Sequence, residues 1–140
     1  MKKYHILKFA TLTLLLSISI QLLFAQNSKN YITFVFKKYE NNKIFTTLQT
    51  GEKYIEFDII GYDNQNQIDT LIKHISGYRG VTSFIVTNDV TNNKKTAKLT
   101  CYKNADNLLY YKHLFFVNNV QHLIVDGKEL LTENLIEIEK

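Results

Sequence analysis

The sequence predicts an α+β protein with a ferredoxin-like βαββαβ fold, an antiparallel sheet with two helices on one face. Three observations predict it: an alternating strand at 54–60, an amphipathic stripe after it, and a strand, strand, helix, strand order up to residue 125. Of the 140 residues, 45% are hydrophobic and 13% aromatic, which excludes a disordered chain. The length fits a single domain.

The first strand is YIEFDII, at 54–60. Ile55, Phe57 and Ile59 share one face, and Glu56 and Asp58 share the other. This alternation is typical of a half-buried strand.

An amphipathic helix follows over 64–76. Its apolar residues recur at i, i+3, i+4 and i+7, namely Ile68, Leu71, Ile72 and Ile75. Asn64 with Gln67 fits a variant capping box at the first turn. Gly77 and Gly80 end the helix.

The second half is predicted to contain two strands, a helix and a strand, at 81–87, 96–102, 104–119 and 122–125. The polar segment 92–95 joins the two strands as a turn. Asn104 is a candidate cap for the helix. Asp126-Gly127 closes the last strand as a turn pair.

The predicted domain spans 53–126, with an extension at 26–52 and a tail or edge strand at 127–140. In the extension, 31–36 reads as a strand that turns at Asn41-Asn42 into 43–49, although its spacing also fits a helix. In the tail, 135–139 alternates weakly and is a candidate edge strand.

Residues 1–25 have the pattern of a secretory signal peptide. Lys2 and Lys3 precede an apolar run from Phe9 to Ala25, and polar sequence begins at Gln26. The alternative is an uncleaved anchor, the one route by which the chain would contact a membrane. Cleavage near Ala25 predicts an exported protein, periplasmic or secreted, of a Gram-negative bacterium.

Charge and cysteine content exclude several classes. The net charge is +4, but the first 25 residues hold three of the 17 basic residues and no acid, which leaves 14 against 13 acidic residues. A nearly neutral body lacks the clustered positive charge that nucleic acids require. The single cysteine, Cys101, excludes an internal disulfide and is predicted to be buried.

The block 53–126 resembles the heavy-metal-associated domain of copper chaperones and metal-pumping ATPases. Gly61 stands where that family's motif has its glycine, and Gly80-Val81 falls on the Gly-Val pair that opens the second strand. The apolar residues at 68, 71 and 75 fall on apolar helix positions, and Ala97-x-Leu99-x-Cys101 is similar to the third strand. The resemblance covers about half the chain and implies the ferredoxin-like fold.

The metal ligands of that family are missing. Its two cysteine positions hold Asn64 and Gln67, and its methionine and threonine positions hold Tyr62 and Asp63. Neutral carboxamides bind soft metal ions poorly. No metal site and no cofactor are therefore carried over, and Asn64 and Gln67 are predicted to cap the helix instead.

Other side chains are candidates for metal binding or catalysis. His113 and His122, with Asp126, form the alternative of a relocated copper or zinc site, while His74 is expected on a solvated helix face. The candidate nucleophiles are Ser76, Ser83 and Cys101, none of them in a nucleophile or phosphate-loop motif. Glu56 and Asp58 are expected to oppose Lys98 as an exposed charge pair. We therefore predict no catalytic residues and no enzyme.

The remaining candidates are contact residues. The open face of the sheet is expected to carry a mixed set, Glu56, Asp58, Ile60, Ile85, Lys98, Thr100 and Tyr102. Tyr62, Tyr78 and Arg79 are expected near the helix ends. Because exposed Tyr and Arg are enriched at binding hot spots, Tyr62, Tyr78, Arg79 and Tyr102 are the predicted partner-binding residues. The predicted function is a small exported binding or assembly module whose partner is another envelope protein.

Overall fold

The computed structural model describes residues 32–37, 43–62, 64–89 and 94–139. Over these residues the protein is α+β, with a mixed seven-stranded sheet, two α-helices and one 3-10 helix. In chain order the elements are β1 Ile32–Phe36, β2 Thr46–Thr47, β3 Lys53–Ile60, α1 Gln65–Ser76, β4 Val81–Asp89, β5 Lys94–Cys101, α2 Leu108–Val117, β6 Val120–Val125, β7 Lys128–Leu131 and the 3-10 helix Thr132–Glu139.

The sheet is larger than the four antiparallel strands expected. Its order is β4-β5-β3-β1-β6-β7, and β2 pairs with β3 outside this path. β1 lies between β3 and β6, antiparallel to the first and parallel to the second. Phe34 and Phe36 on β1 are 0% and 1% exposed, so this strand supplies part of the centre of the core.

The strand interpretation of 31–36 is confirmed for residues 32–36, but the predicted hairpin with 43–49 is wrong. β2 pairs with β3, with Thr46 opposite Tyr54. A tight turn explains the pairing, because the Gly51 amide donates to the Leu48 carbonyl at 2.8 Å. Gly51 has φ +89, which glycine adopts without steric cost.

Aromatic rings fill the layer between sheet and helices. Phe57 of β3 lies 4.3 Å from Phe34 and 4.9 Å from Phe36, measured between ring centroids. Phe115 of α2 completes the group, 5.4 Å from Phe34. The alternation of β3 is confirmed, since Ile55, Phe57 and Ile59 face this core.

Helix α1 begins where the sequence predicted. The Asn64 Oδ1 accepts a hydrogen bond from the Asn66 amide at 2.9 Å, which satisfies an orphan donor of the first turn. Ile68, Leu71 and Ile75 are buried, as the stripe predicted. Gly77 is the C-cap.

Helix α2 begins later than predicted. Its cap is Asn107, whose Oδ1 accepts from the Leu109 amide at 2.7 Å, so the assignment of Asn104 was wrong. The reason lies at Ala105, which is fully buried and accepts a hydrogen bond from the Tyr111 hydroxyl at 2.6 Å. The Ala105 amide also donates to the Tyr102 carbonyl at 3.1 Å, so Asn104 lies in a turn ahead of the helix.

The C-terminal segment also differs from the prediction. Asp126 and Gly127 form the β6–β7 turn with φ 50 and φ 76, the two positive values of a mirror-image turn. β7, at 128–131, is therefore the edge strand. Residues 135–139 lie in the 3-10 helix instead, and Leu135 of this helix is fully buried.

The predicted signal peptide and the turn at Asn41-Asn42 lie outside the described residues. Among the helices that are described, none combines the length and the apolar character needed to cross a bilayer.

Candidate functional site

Three tyrosines and a histidine meet beside the loop that joins α1 to β4. The ring of Tyr110 on α2 lies 5.8 Å from Tyr78 and 5.9 Å from Tyr102. His113, one helical turn after Tyr110, lies 6.0 Å from the ring of Tyr78. These residues, with Arg79, are called the aromatic surface below.

Loop geometry places Tyr102 in this group. The Tyr102 amide donates to the Gly80 carbonyl at 2.9 Å, and its ring lies over Gly80. A Cβ at Gly80 would stand 2.2 Å from a Tyr102 ring carbon. The expectation that Tyr102 lies on the open sheet face is therefore wrong: β5 ends at Cys101, and the ring turns to Tyr110.

Hydrogen bonds fix the orientation of the other rings. The Tyr110 hydroxyl donates to the Arg79 carbonyl at 3.0 Å, and the Tyr78 hydroxyl is hydrogen-bonded to the His113 Nδ1. Arg79 and His113 are exposed, Tyr102 is 41% exposed, and Tyr78 and Tyr110 are half-buried. The surface is thus rigid at its base and open to solvent at its rim.

The aromatic surface combines uncharged phenol side chains with the positive charge of Arg79. Desolvation, and then the neighbouring Tyr102, raise the pKa of Tyr78. Desolvation, followed by Cys101, also raises the pKa of Tyr110. Both phenols are therefore neutral at ordinary pH, and the Arg79 guanidinium supplies the positive charge.

Two apolar residues of α2 extend this surface. Leu109 is 54% exposed and Phe116 is 62% exposed. With His113 they stand at i, i+4 and i+7, so all three share the helix face opposite the core. The sequence does not single out Leu109, Tyr110 and Phe116, because α2 is apolar on nearly every side and its pattern does not separate the two faces.

Tyr62 lies apart from the other predicted contact residues. It is 7% exposed, and burial raises its pKa to about 12, so its assignment as an exposed contact is corrected. It borders a cleft of about 490 Å³ between α1 and the end of α2, with Ile32, Asn66, Gln67, Thr70, Leu71, His74, Val117, Asn118 and Asn119. His74 is exposed on its helix face, as expected.

The histidines have separate surroundings. His113 contacts Tyr78, and His122 Nδ1 lies 2.9 Å from the Glu129 carboxylate. In the part of the chain that the structure describes, no three His, Cys, Asp or Glu side chains converge as metal ligands. The structure therefore supplies no observation that favours the set of His113, His122 and Asp126.

One candidate nucleophile, Cys101, and the two candidate acids, Glu56 and Asp58, have structural surroundings that explain them. Cys101 is fully buried, as predicted, and burial raises the pKa of its thiol to about 11. Glu56 stands opposite Lys98 in the β3–β5 register, as expected, and accepts from the Tyr54 hydroxyl at 2.7 Å. Asp58 instead pairs with Lys94 at 2.9 Å.

The chain matches no known protein family, no curated protein and no solved structure. The likeness to the heavy-metal-associated domain thus depends on the quoted residues alone.

Proposed function

We propose that the chain is an exported, non-enzymatic binding or assembly module that contacts another envelope protein through the aromatic surface. The observation that carries the proposal is the convergence of the Tyr78, Tyr102 and Tyr110 rings from three separate segments of the chain. Tyr102 is exposed, and so is Arg79, which follows Tyr78 in the loop and whose carbonyl accepts from the Tyr110 hydroxyl.

Side-chain chemistry supports binding. Tyrosine offers a large contact area with few rotatable bonds, so that little entropy is lost when a partner covers it. Here the rings are already held, Tyr110 by the Arg79 carbonyl and Tyr78 by His113. Preorganised groups of this kind lose less free energy on association than mobile ones.

The composition of the surface also indicates the kind of partner. Tyr and Arg, with the apolar Leu109 and Phe116 beside them, are typical of the centre of protein–protein interfaces. With Arg79 as its exposed cation, the surface suits a partner patch that is mainly apolar and carries a carboxylate.

The scaffold belongs to the same proposal. We take the six elements from β3 to β6 as a ferredoxin-like arrangement of the heavy-metal-associated type, enlarged by β1 between β3 and β6. In place of that family's thiolates, Asn64 supplies a helix cap. Export by the signal peptide at 1–25 completes the proposal.

A site-specific photo-crosslinker tests the function. The crosslinking amino acid is placed at Tyr102 in one strain and at Lys128 in a control strain, because Lys128 lies on β7 at the far edge of the sheet. We expect a defined envelope protein to be captured from Tyr102, not from Lys128, and to be lost in an Arg79→Ala background. Equal capture at both positions, or none at Tyr102, would contradict the proposal.

A further inference from the structure

The two edge strands of the sheet differ in length and in charge. Among the described residues, the sheet ends at β4 on one side and at β7 on the other. β4 has nine residues and β7 has four. An edge strand presents unpaired backbone amides and carbonyls, which another strand can satisfy.

The edge at β7 carries the devices that discourage pairing. It is short, and it holds the charged residues Lys128 and Glu129. Short edge strands and edge lysines are the usual protection against added strands.

The edge at β4 lacks that protection. Its sequence, VTSFIVTND, contains no lysine, arginine or proline, and its one charge is Asp89 at the end. The register is irregular between Val81 and Ser83 and regular from Ser83 onward. The regular segment therefore offers an uncharged row of backbone groups to a partner strand.

The segment 83–87 is also complementary to itself. When two copies pair antiparallel about Ile85, each Ile85 meets its own counterpart, and Ser83 stands opposite Thr87. Ile85 is 54% exposed on the open face, so the pairing removes an exposed apolar side chain from water. Phe84 and Val86 face each other on the helix side, and no like charges meet.

We propose that β4 of one copy pairs antiparallel with β4 of a second copy, centred on Ile85, so that the sheet continues across a two-fold axis. Such an interface is isologous and closes on itself as a dimer. A nine-residue strand is about 30 Å long. The aromatic surfaces, which lie beside Gly80 at the start of each β4, therefore stand at opposite ends of the paired strands and remain accessible.

Single-cysteine crosslinking tests both the pairing and its register. Ile85→Cys protein is treated with a short bismaleimide, and we expect a covalent dimer because the two Cβ atoms of a directly opposed pair are about 5 Å apart. Thr87→Cys alone should react poorly, whereas a mixture of Ser83→Cys and Thr87→Cys proteins should give the dimer. The native Cys101 is fully buried and does not compete.

The controls distinguish β4 pairing from general aggregation. Leu131→Cys places an exposed thiol on β7, and it should not crosslink. Sedimentation should show a concentration-dependent dimer that Ile85→Lys abolishes and that an equimolar mixture of Ile85→Lys and Ile85→Glu restores. A monomer at every concentration, or equal crosslinking at Leu131, overturns the proposal without affecting the crosslinking test at Tyr102.

Discussion

Gly80→Ala tests the geometry that places Tyr102 in the aromatic surface. Gly80 has φ +92, and the added Cβ would stand 2.2 Å from a Tyr102 ring carbon. The backbone conformation costs a non-glycine residue roughly 1–2 kcal/mol. Overpacking adds roughly 1–3 kcal/mol. We therefore expect the free energy of unfolding to fall by about 2–5 kcal/mol, a large share of the 5–15 kcal/mol typical of a domain.

Two variants separate the contributions. Gly127 has φ +76 and no atom within 4 Å of the added Cβ, so Gly127→Ala should show the backbone cost alone. In a Tyr102→Ala background the ring is absent. There, Gly80→Ala should lower the free energy of unfolding by the backbone cost alone, without the overpacking cost.

Urea unfolding followed by tyrosine fluorescence provides the measurement, since the chain has no tryptophan. A Gly80→Ala loss equal to that of Gly127→Ala would refute the placement of the Tyr102 ring over Gly80. The placement would also be refuted if Gly80→Ala lowered the free energy of unfolding as much in the Tyr102→Ala background as it does in the presence of the ring.

Three further predictions concern the core and the helix cap. Tyr111→Phe leaves the buried Ala105 carbonyl unpaired and should cost about 1–3 kcal/mol in urea unfolding. Asn64→Ala should cost about 1 kcal/mol, and Asn64→Ser, which keeps a capping oxygen, much less. Burial raises the pKa of Cys101 from 9.0 to about 11, so the thiol favours folding below pH 9 and this contribution is lost as pH rises towards 11. Unfolding measured across that window should show the fall, and Cys101→Ala should reduce it; a fall unchanged in this variant would contradict the assignment.

The sequence predicted most accurately the strands and helices that have one apolar face and one polar face. β3 and α1 begin and end within about a residue or two of the predicted bounds, because their apolar periods of 2 and 3.6 are clear. The alternation of Ala97, Leu99 and Cys101 along β5 likewise correctly placed Cys101 in the core.

Strand order was not accessible in the same way. β1 pairs with β3 and β6, which are distant in sequence, and an apolar run does not indicate its neighbours in the sheet. The sequence therefore places the run 31–36 in an extension, whereas its strand lies between β3 and β6.

The amphipathic character of tyrosine explains why the predicted contact residues were only partly correct. Its ring is apolar and its hydroxyl polar, so sequence does not decide whether it is buried. Of the four predicted contact residues, the structure brings Tyr78, Arg79 and Tyr102 together and buries Tyr62. Tyr110, which joins them, lies on a helix whose pattern indicated only a core role.

The most direct test of the proposed function is the affinity of the captured envelope protein for purified variants. Tyr102→Ala and Arg79→Ala should each weaken binding about thirtyfold or more, the loss typical of a hot-spot residue, while the fold is retained by circular dichroism. Lys128→Ala, at the far edge of the sheet, should bind as the unchanged protein does. Unaltered affinity in both aromatic-surface variants would contradict the account.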